Sequence, residues 1–490
     1  MGAAPPRSSV AMSLRLLAPR ERIIAIADPG SVQSIDASFD VPRPSPHLAR
    51  WGIVAQEDDG VVIARATLHG APVMIAAQDE RFVGGSVGAN HGDALRRMFM
   101  RGKTEHPAAV VVMVASAGVR LHEANPAELG LARALAALLD LRAAGVPVIA
   151  IGVADTFGGA SVLACAAERT ALLSGVRLGL SGPAVIETTR GREELDAGDA
   201  DALAALFGAE TRALAGHVEL LADDTEVVRG WIAQSVREAQ PFDAWVRAMQ
   251  ERLASRLAAN PFPGVASAVM RPFDAATAPI ALLSIGPPTL YAEAEPVDGA
   301  GWLWRIRDRP VWLTRPCGLG TFGPHEAHEL DAALLAHLAG GTAGNVQTAF
   351  LVDDSRGHEV SRNAELICIS QYLAQHAAVV ALLRMGGVRV RGLITGVGHS
   401  AAFFANALQA PEVYAVAQAR VVAMEPVAIA RVTRVPKQEI TALIEDDPLL
   451  GHPVRQFARW GGIAEIVSEI DCDRLLALAA REIATNSISG

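Results

Sequence analysis

Two stretches of this chain hold residue types suited to chemistry at a carbonyl group. Gly158-Gly159-Ala160 follows an apolar run at 146–153, and Gly396-Val397-Gly398-His399-Ser400 follows another at 388–394. A glycine pair that opens a helix leaves backbone N–H groups without an intrahelical acceptor. Such donors, held rigidly, take the negative charge that develops on a carbonyl oxygen, and glycine lets a reacting group approach the main chain closely. On this reading Gly158, Gly159 and Ala160 form one oxyanion site. The segment 396–401 forms a second site for a carboxylate, where Ser400 and His399 orient it or relay a proton. The bland alternative for His399 is a cap on the following helix. VGGSVG at 83–88 offers a further donor at Gly84 or Gly85, beside Ser86, and LSGP at 180–183 brings Ser181 and Gly182. Gly118, Arg120 and Glu123 sit in the loop after an apolar run, where ligand sites of α/β sheets lie. A surface salt bridge is the alternative for Arg120 and Glu123. Asp353 and Asp354 hold the matching place later in the chain and read as a solvated loop or a helix N-terminal partner.

Other chemistries find less support. The four cysteines, Cys165, Cys317, Cys368 and Cys472, are far apart, and no CxxC pair occurs. Neither a zinc ribbon nor a disulfide framework is expected, and a reducing, cytoplasmic setting fits. His325 and His328 lie one helical turn apart with no third metal ligand nearby, and read as an exposed helix face. Among 490 residues the formal net charge is −10, which argues against general nucleic-acid binding. Against that acidic background Arg96, Arg97, Arg101 and Lys103 cluster on one predicted helix, as a docking patch for an anionic partner or as a solvated face. The most apolar region, 129–153, is broken by charged residues, Gly145 and Pro147, so it reads as helix, turn and strand, not a membrane span.

The elements that must position these residues alternate. Residues 1–19 read as a flexible tail, and 20–28 as a short helix before Pro29-Gly30. Strands at 61–67 and 72–77 flank His69-Gly70 as a hairpin. The run VVVMV at 110–114 reads as a strand buried on both faces. A helix starts at Pro126 and ends at Gly145. The central strand and glycine turn follow, then a helix to about 168 and a strand at 170–173. This order means stacked βαβ units of an α/β fold. Residues 199–255 read as wholly helical. A Pro/Ala-rich stretch at 258–280 marks a boundary between halves, 20–265 and 266–490. The second half repeats the first: GTFG at 320–323 parallels VGGSVG, a strand at 349–352 parallels 110–114, one long helix covers 364–384, and AMEP at 423–426 stands where LSGP stands. Internal duplication is the economical reading.

The motifs RERIIAIADPGS (20–31), VGGSVGANHG (83–92), FGGAS (157–161) and LGLSGPAVIE (178–187) resemble acyl-CoA carboxyltransferases of the crotonase superfamily. Within that superfamily the first half resembles the β subunit of malonate decarboxylase. The second half, with LVDDSRGHEVSRNAE (351–365), GVGHSAAFFANALQA (396–410) and MEPVAIARVTRVP (424–436), resembles its γ subunit. Two departures stand out: LSGPAVIE carries alanine at 184 where an acidic residue is expected, and His399 precedes Ser400 where a small or apolar residue is usual.

The resemblance implies two tandem crotonase-like (ClpP/crotonase, ββα-superhelix) domains. It further implies decarboxylation of a malonyl thioester, carried on the phosphopantetheine arm of an acyl-carrier protein subunit, to acetyl thioester and CO2. No tightly bound cofactor is implied, and coenzyme A serves as an analogue of the arm. The partners implied are the acyl-carrier subunit, docked on Arg96, Arg97, Arg101 and Lys103, and an acyl-carrier transferase subunit, with a homo-oligomer left open. The alternatives are a biotin-dependent acyl-CoA carboxyltransferase and a non-catalytic assembly scaffold. A thioesterase built on Ser400 and His399 is disfavoured, because adjacent side chains on a turn diverge.

Overall fold

Residues 109–116 read AVVVMVAS and every one is buried. Such a run suits the middle of a parallel sheet covered on both faces, and that is its place in the computed structural model, which describes residues 13–34, 43–260, 289–318, 320–339 and 347–482. The first sheet contains β1 (Gln33–Ser34), β2 (Val61–Leu68), β3 (Ala71–Gln78), β4 (Ala109–Ser116), β5 (Val148–Thr156), β6 (Arg169–Leu173) and β7 (Glu219–Leu221), in that spatial order. β1 to β3 pair antiparallel, and β3 to β7 pair parallel.

The second sheet contains β8 (Ala294–Pro296), β9 (Leu303–Ile306), β10 (Val311–Thr314), β11 (Thr348–Asp353) and β12 (Arg389–Ile394). β13 (Val397–His399) leaves it to pair with β15 (Arg420–Val422), while β14 (Glu412–Val416) and β16 (Glu465–Val467) complete it. Its directions follow the same pattern: β8 to β10 antiparallel, then β10, β11, β12, β14 and β16 parallel. The expected hairpin, central strands and α/β alternation are therefore present.

Helix Ile369–Met385 joins the halves. It is buried from Ile369 to Leu383, and encloses Ser370, Gln371, Gln375 and His376 along with its apolar residues. It packs on helices Asn125–Ala143, Gly159–Cys165 and Phe242–Ala259 of the first half and on Pro324–Ala339 of the second. One continuous apolar core results.

Three expectations need correction. The chain is already ordered at Ser13, within the proposed tail. Leu14 is buried, its N–H donates to Asp223, and its carbonyl accepts from Arg22 Nε; residues 1–12 lie outside the described ones. The stretch 199–255 is not wholly helical, because β7 interrupts it and extends the sheet beside β6. The long helix at 364–384 is two helices, Arg362–Leu366 and Ile369–Met385, separated at Cys368, whose φ is +63°. The proposed boundary at 265/266 falls in 261–288, outside the described residues. Among the described residues no helix is long and apolar enough to cross a membrane.

The seam between halves buries carboxyl groups. Glu128 is enclosed, and its Oε2 has no partner among the described residues. Burial pushes its carboxyl up to about 8, with the nearby Asp353 adding to the rise. An ordinary Glu titrates near 4.5, so between these values the folded chain holds a proton that the unfolded chain has lost. The contribution is full below 4.5 and falls as pH rises toward 8, by up to ~1.4 kcal/mol per unit. Glu128→Gln removes this dependence. In thermal melts from pH 5 to 8.5, wild type is expected to lose Tm relative to the variant as pH rises, and parallel curves would refute a buried neutral carboxyl.

Candidate active site

β5 ends at Thr156 and delivers the glycine turn. The Phe157 N–H donates to the Ser116 carbonyl at 2.8 Å, and the Gly158 N–H to the Leu180 carbonyl at 3.0 Å. Gly158 has φ +62° and ψ −151°, a conformation open to glycine. Helix Gly159–Cys165 begins at once, and the Ser161 N–H returns to the Gly158 carbonyl. Of the three residues expected to supply donors, Gly158 is corrected: its amide is taken up internally, and it supplies the turn's shape. The Gly159 and Ala160 amides have no acceptor among the described residues. A Cβ on Gly118 would lie 2.9 Å from the Gly158 Cα, so the loop after β4 backs directly onto this turn.

VGGSVG is mostly structural. The Gly85 and Ser86 amides donate to the Phe82 and Val83 carbonyls. A Cβ on Gly85 would lie 1.9 Å from the Ala115 carbonyl oxygen, so glycine is needed there to pack on β4. Donation from Gly85 is therefore corrected, and Gly84 remains exposed at the tip. Arg120 does not form a surface salt bridge. It is buried, bonding Asp59 at 2.5 Å, Glu123 at 3.0 Å and the Ser86 carbonyl at 3.0 Å. Burial pushes Asp59 up to about 6, against the pull of Arg120. This network fixes the loop that carries Gly118.

The loop after β6 brings Ser181 and Gly182. Ser181 is 2% exposed, and Gly182 caps helix Pro183–Arg190. Two residues that the motifs did not single out hold this loop against the second half. Glu365 is fully buried and accepts the amides of Leu180 at 3.1 Å and Ser181 at 2.6 Å. Burial pushes its carboxyl up to about 7, while Arg212 and those amides pull it down. His358 accepts or donates at Nε2 with Ser181 Oγ, 3.2 Å away. Its sequence signal was weak: one histidine in a polar loop, at the place where Phe322 bridges His358 as Val87 bridges Val119.

The second turn lies beside His358. The Gly396 carbonyl accepts from Arg420, and the Val397 N–H donates to Asp354. Gly398 is buried against the Phe403 ring. Ser400 begins helix Ser400–Ala405 at φ +52°. His399 occupies the N-cap of that helix, but its side chain makes no cap hydrogen bond. Its ring lies over Gly357, where a Cβ would meet it at 3.2 Å, and 3.9 Å from Glu425. Burial lowers its pKa, and Glu425 opposes that shift. Asp353 and Asp354 are buried, not solvated, because β11 carries them inward to Asn406, Ala407 and Val397.

The structure thus brings Gly158–Ala160, Ser181, His358 and Gly398–Ser400 into one connected region, and leaves the basic cluster elsewhere. On helix Ala89–Glu105, Arg96 and Arg97 pair with Asp93, and Arg101 with Glu105, while Lys103 is exposed. His325 and His328 are half-buried, not on an exposed face. No group of three or more His, Cys, Asp or Glu among the described residues could hold a metal ion.

Residues 16–235 match the carboxyl transferase domain, and 320–487 match the malonate decarboxylase gamma subunit. The malonyl-S-ACP:biotin-protein carboxyltransferase of Malonomonas rubra is 31% identical over 222 residues, which is 42% of this chain and 69% of that protein. The chain belongs to the malonate decarboxylase carboxyltransferase family. A carboxyl transferase subunit beta of acetyl-coenzyme A carboxylase from Synechococcus sp. is 32% identical over 194 residues, covering 38% of this chain and 61% of that subunit. A Pseudomonas malonate decarboxylase hetero-tetramer, solved in complex with malonate, aligns at 33% identity with a TM-score of 0.45, over 47% of this chain and 86% of that one. The two matched regions fall on either side of 261–288. The mixed α/β fold is that expected of a carboxyltransferase.

Proposed function

We propose that the chain decarboxylates a malonyl thioester on an acyl-carrier subunit, giving acetyl thioester and CO2. One observation carries the reading: the Gly159 and Ala160 amides stand without acceptors among the described residues, beside a loop shared by both halves. Loss of CO2 leaves an enolate, and the thioester carbonyl is itself the electron sink. The protein must hold that oxygen, orient the carboxylate and deliver a proton. Gly159 and Ala160 take the enolate oxygen. The turn from Gly396 to Ser400 holds the departing carboxylate, with His399 beside it. Gly84, Gly118 and Gly182 line the approach of the phosphopantetheine arm, for which coenzyme A is the analogue, and the step calls for no tightly bound cofactor.

The matching strand order and directions of the two sheets support tandem crotonase-like domains from an internal duplication, divided near 265/266. The two family matches support a fusion of a β-like and a γ-like subunit. Partners are then the acyl-carrier and acyl-carrier transferase subunits, in a cytoplasmic setting that suits four free thiols.

The test is direct. Purified protein is mixed with malonyl carrier, and acetyl carrier and CO2 are followed by mass spectrometry with and without avidin. Turnover insensitive to avidin supports the proposal. Turnover blocked by avidin moves the reading to transfer onto biotin, the activity in the name of the Malonomonas relative. No turnover leaves an assembly scaffold.

Arg96, Arg97, Arg101 and Lys103 serve as the docking patch for the acidic carrier. Arg96→Glu with Arg97→Glu is expected to raise KM for the malonyl carrier about tenfold, or ~1.4 kcal/mol, with kcat and fold retained. An unchanged KM would remove the docking role.

A further inference from the structure

We propose that Ser181 is the proton donor to the enolate carbon, and that His358 of the other half drives it through a hydrogen bond to Ser181 Oγ. This inference rests on the decarboxylation reading above and identifies its proton source.

The geometry supplies the argument. Ser181 stands one residue from Leu180, whose carbonyl receives the Gly158 N–H. It is thus directly linked to the turn that holds the enolate oxygen. Its main chain is fixed by Glu365 at 2.6 Å, so the hydroxyl is the part left to act. That hydroxyl meets His358 Nε2 at 3.2 Å, across 177 residues of sequence. His358 Nδ1 is enclosed and has no partner among the described residues. A buried ring N–H without an acceptor is costly, so the proton is assigned to Nε2. Nε2–H then donates to Ser181 Oγ, and the serine proton is free to point at substrate.

Burial, with His399 nearby, lowers His358 to about 3, so the ring is neutral. A neutral imidazole is a weak acid, yet a neutral ring is a competent donor where the developing charge is strongly basic. A thioester enolate is such a base.

The step balances without a redox change. The C–C bond to the carboxylate breaks, CO2 leaves, and the electron pair stays in the enolate. The enolate carbon bonds the Ser181 proton as the O–H bond breaks, and Ser181 Oγ takes the Nε2 proton. Water returns a proton to Nε2, and its hydroxide adds to CO2 as bicarbonate.

If proton delivery fails, the enolate persists and recaptures CO2. The readout is therefore a ratio: 13C from labelled bicarbonate entering the malonyl carrier, against net acetyl carrier formed. Ser181→Ala and His358→Ala should each lower net decarboxylation about 100-fold and raise that ratio by on the order of tenfold. His358→Gln, which keeps an N–H near Nε2, should recover part of both. A packing role alone would lower rate and yield of folded protein while leaving the ratio flat. Wild type that decarboxylates, with variants at an unchanged ratio, overturns this inference and leaves the function standing. Wild type that does not decarboxylate overturns the function and this inference with it.

Discussion

Gly158→Ala is expected to lower kcat for malonyl carrier at least 100-fold while the chain still folds. Gly158 has φ +62°, and a Cβ there would lie 3.0 Å from the Gly118 Cα and 3.4 Å from the Ala117 carbonyl oxygen. All these neighbours are backbone, so the turn itself must move. It carries the Gly159 and Ala160 amides, which the proposed mechanism aims at the developing oxyanion. Loss of one such donor costs ~2.7–4 kcal/mol of barrier in other enzymes. Gly145→Ala is the control. Gly145 also has positive φ, +87°, but a Cβ there meets nothing within 4 Å. The control should lose about 1–2 kcal/mol of stability and keep its kcat. Measured kcat and urea midpoints of both variants decide the matter. Equal rates in Gly158→Ala and wild type would mean these amides do not hold the enolate.

The parts of this architecture that were legible are those whose pattern is local. A β-branched run bounded by helices could only be a covered parallel strand, and β4 is one. A strand that runs into paired glycines and then small apolar residues fixed the turn at Gly158. What stayed hidden depends on distant partners. Cys368 breaks a helix whose composition favours continuity. The break lets Glu365 face Leu180, Ser181 and Arg212, none of them near in sequence. β7 has three residues, too few for an alternation to register, and only its pairing with β6 makes it a strand. Asp353 and Asp354 look solvated as a charged pair. They are buried because β11 ends inside the seam, where amides and Asn406 receive them. His358 acquires meaning only from Ser181.

Glu365→Ala is expected to cost about 3–5 kcal/mol of stability, as when one partner leaves a buried ion pair, and most of the activity as well. Arg212 and Glu365 are each 1% exposed or less. The guanidinium also donates to the Leu178 carbonyl and to the Glu365 carbonyl, so it cannot swing out to water. Truncation leaves its charge buried and uncompensated. It also orphans the Leu180 and Ser181 amides, each at about 1–3 kcal/mol. Those amides anchor the loop whose carbonyl holds Gly158, so the proposed oxyanion turn loosens together with the fold. Glu365→Gln keeps an acceptor oxygen and the side-chain shape but not the charge. Urea midpoints should therefore rank wild type above Glu365→Gln, and that variant above Glu365→Ala. Acetyl-carrier formation should follow the same order at a temperature where all three are folded. A rate that stays at the wild-type level in Glu365→Ala, with only the midpoint lowered, would show that the second half stabilises the 180–181 loop without positioning it.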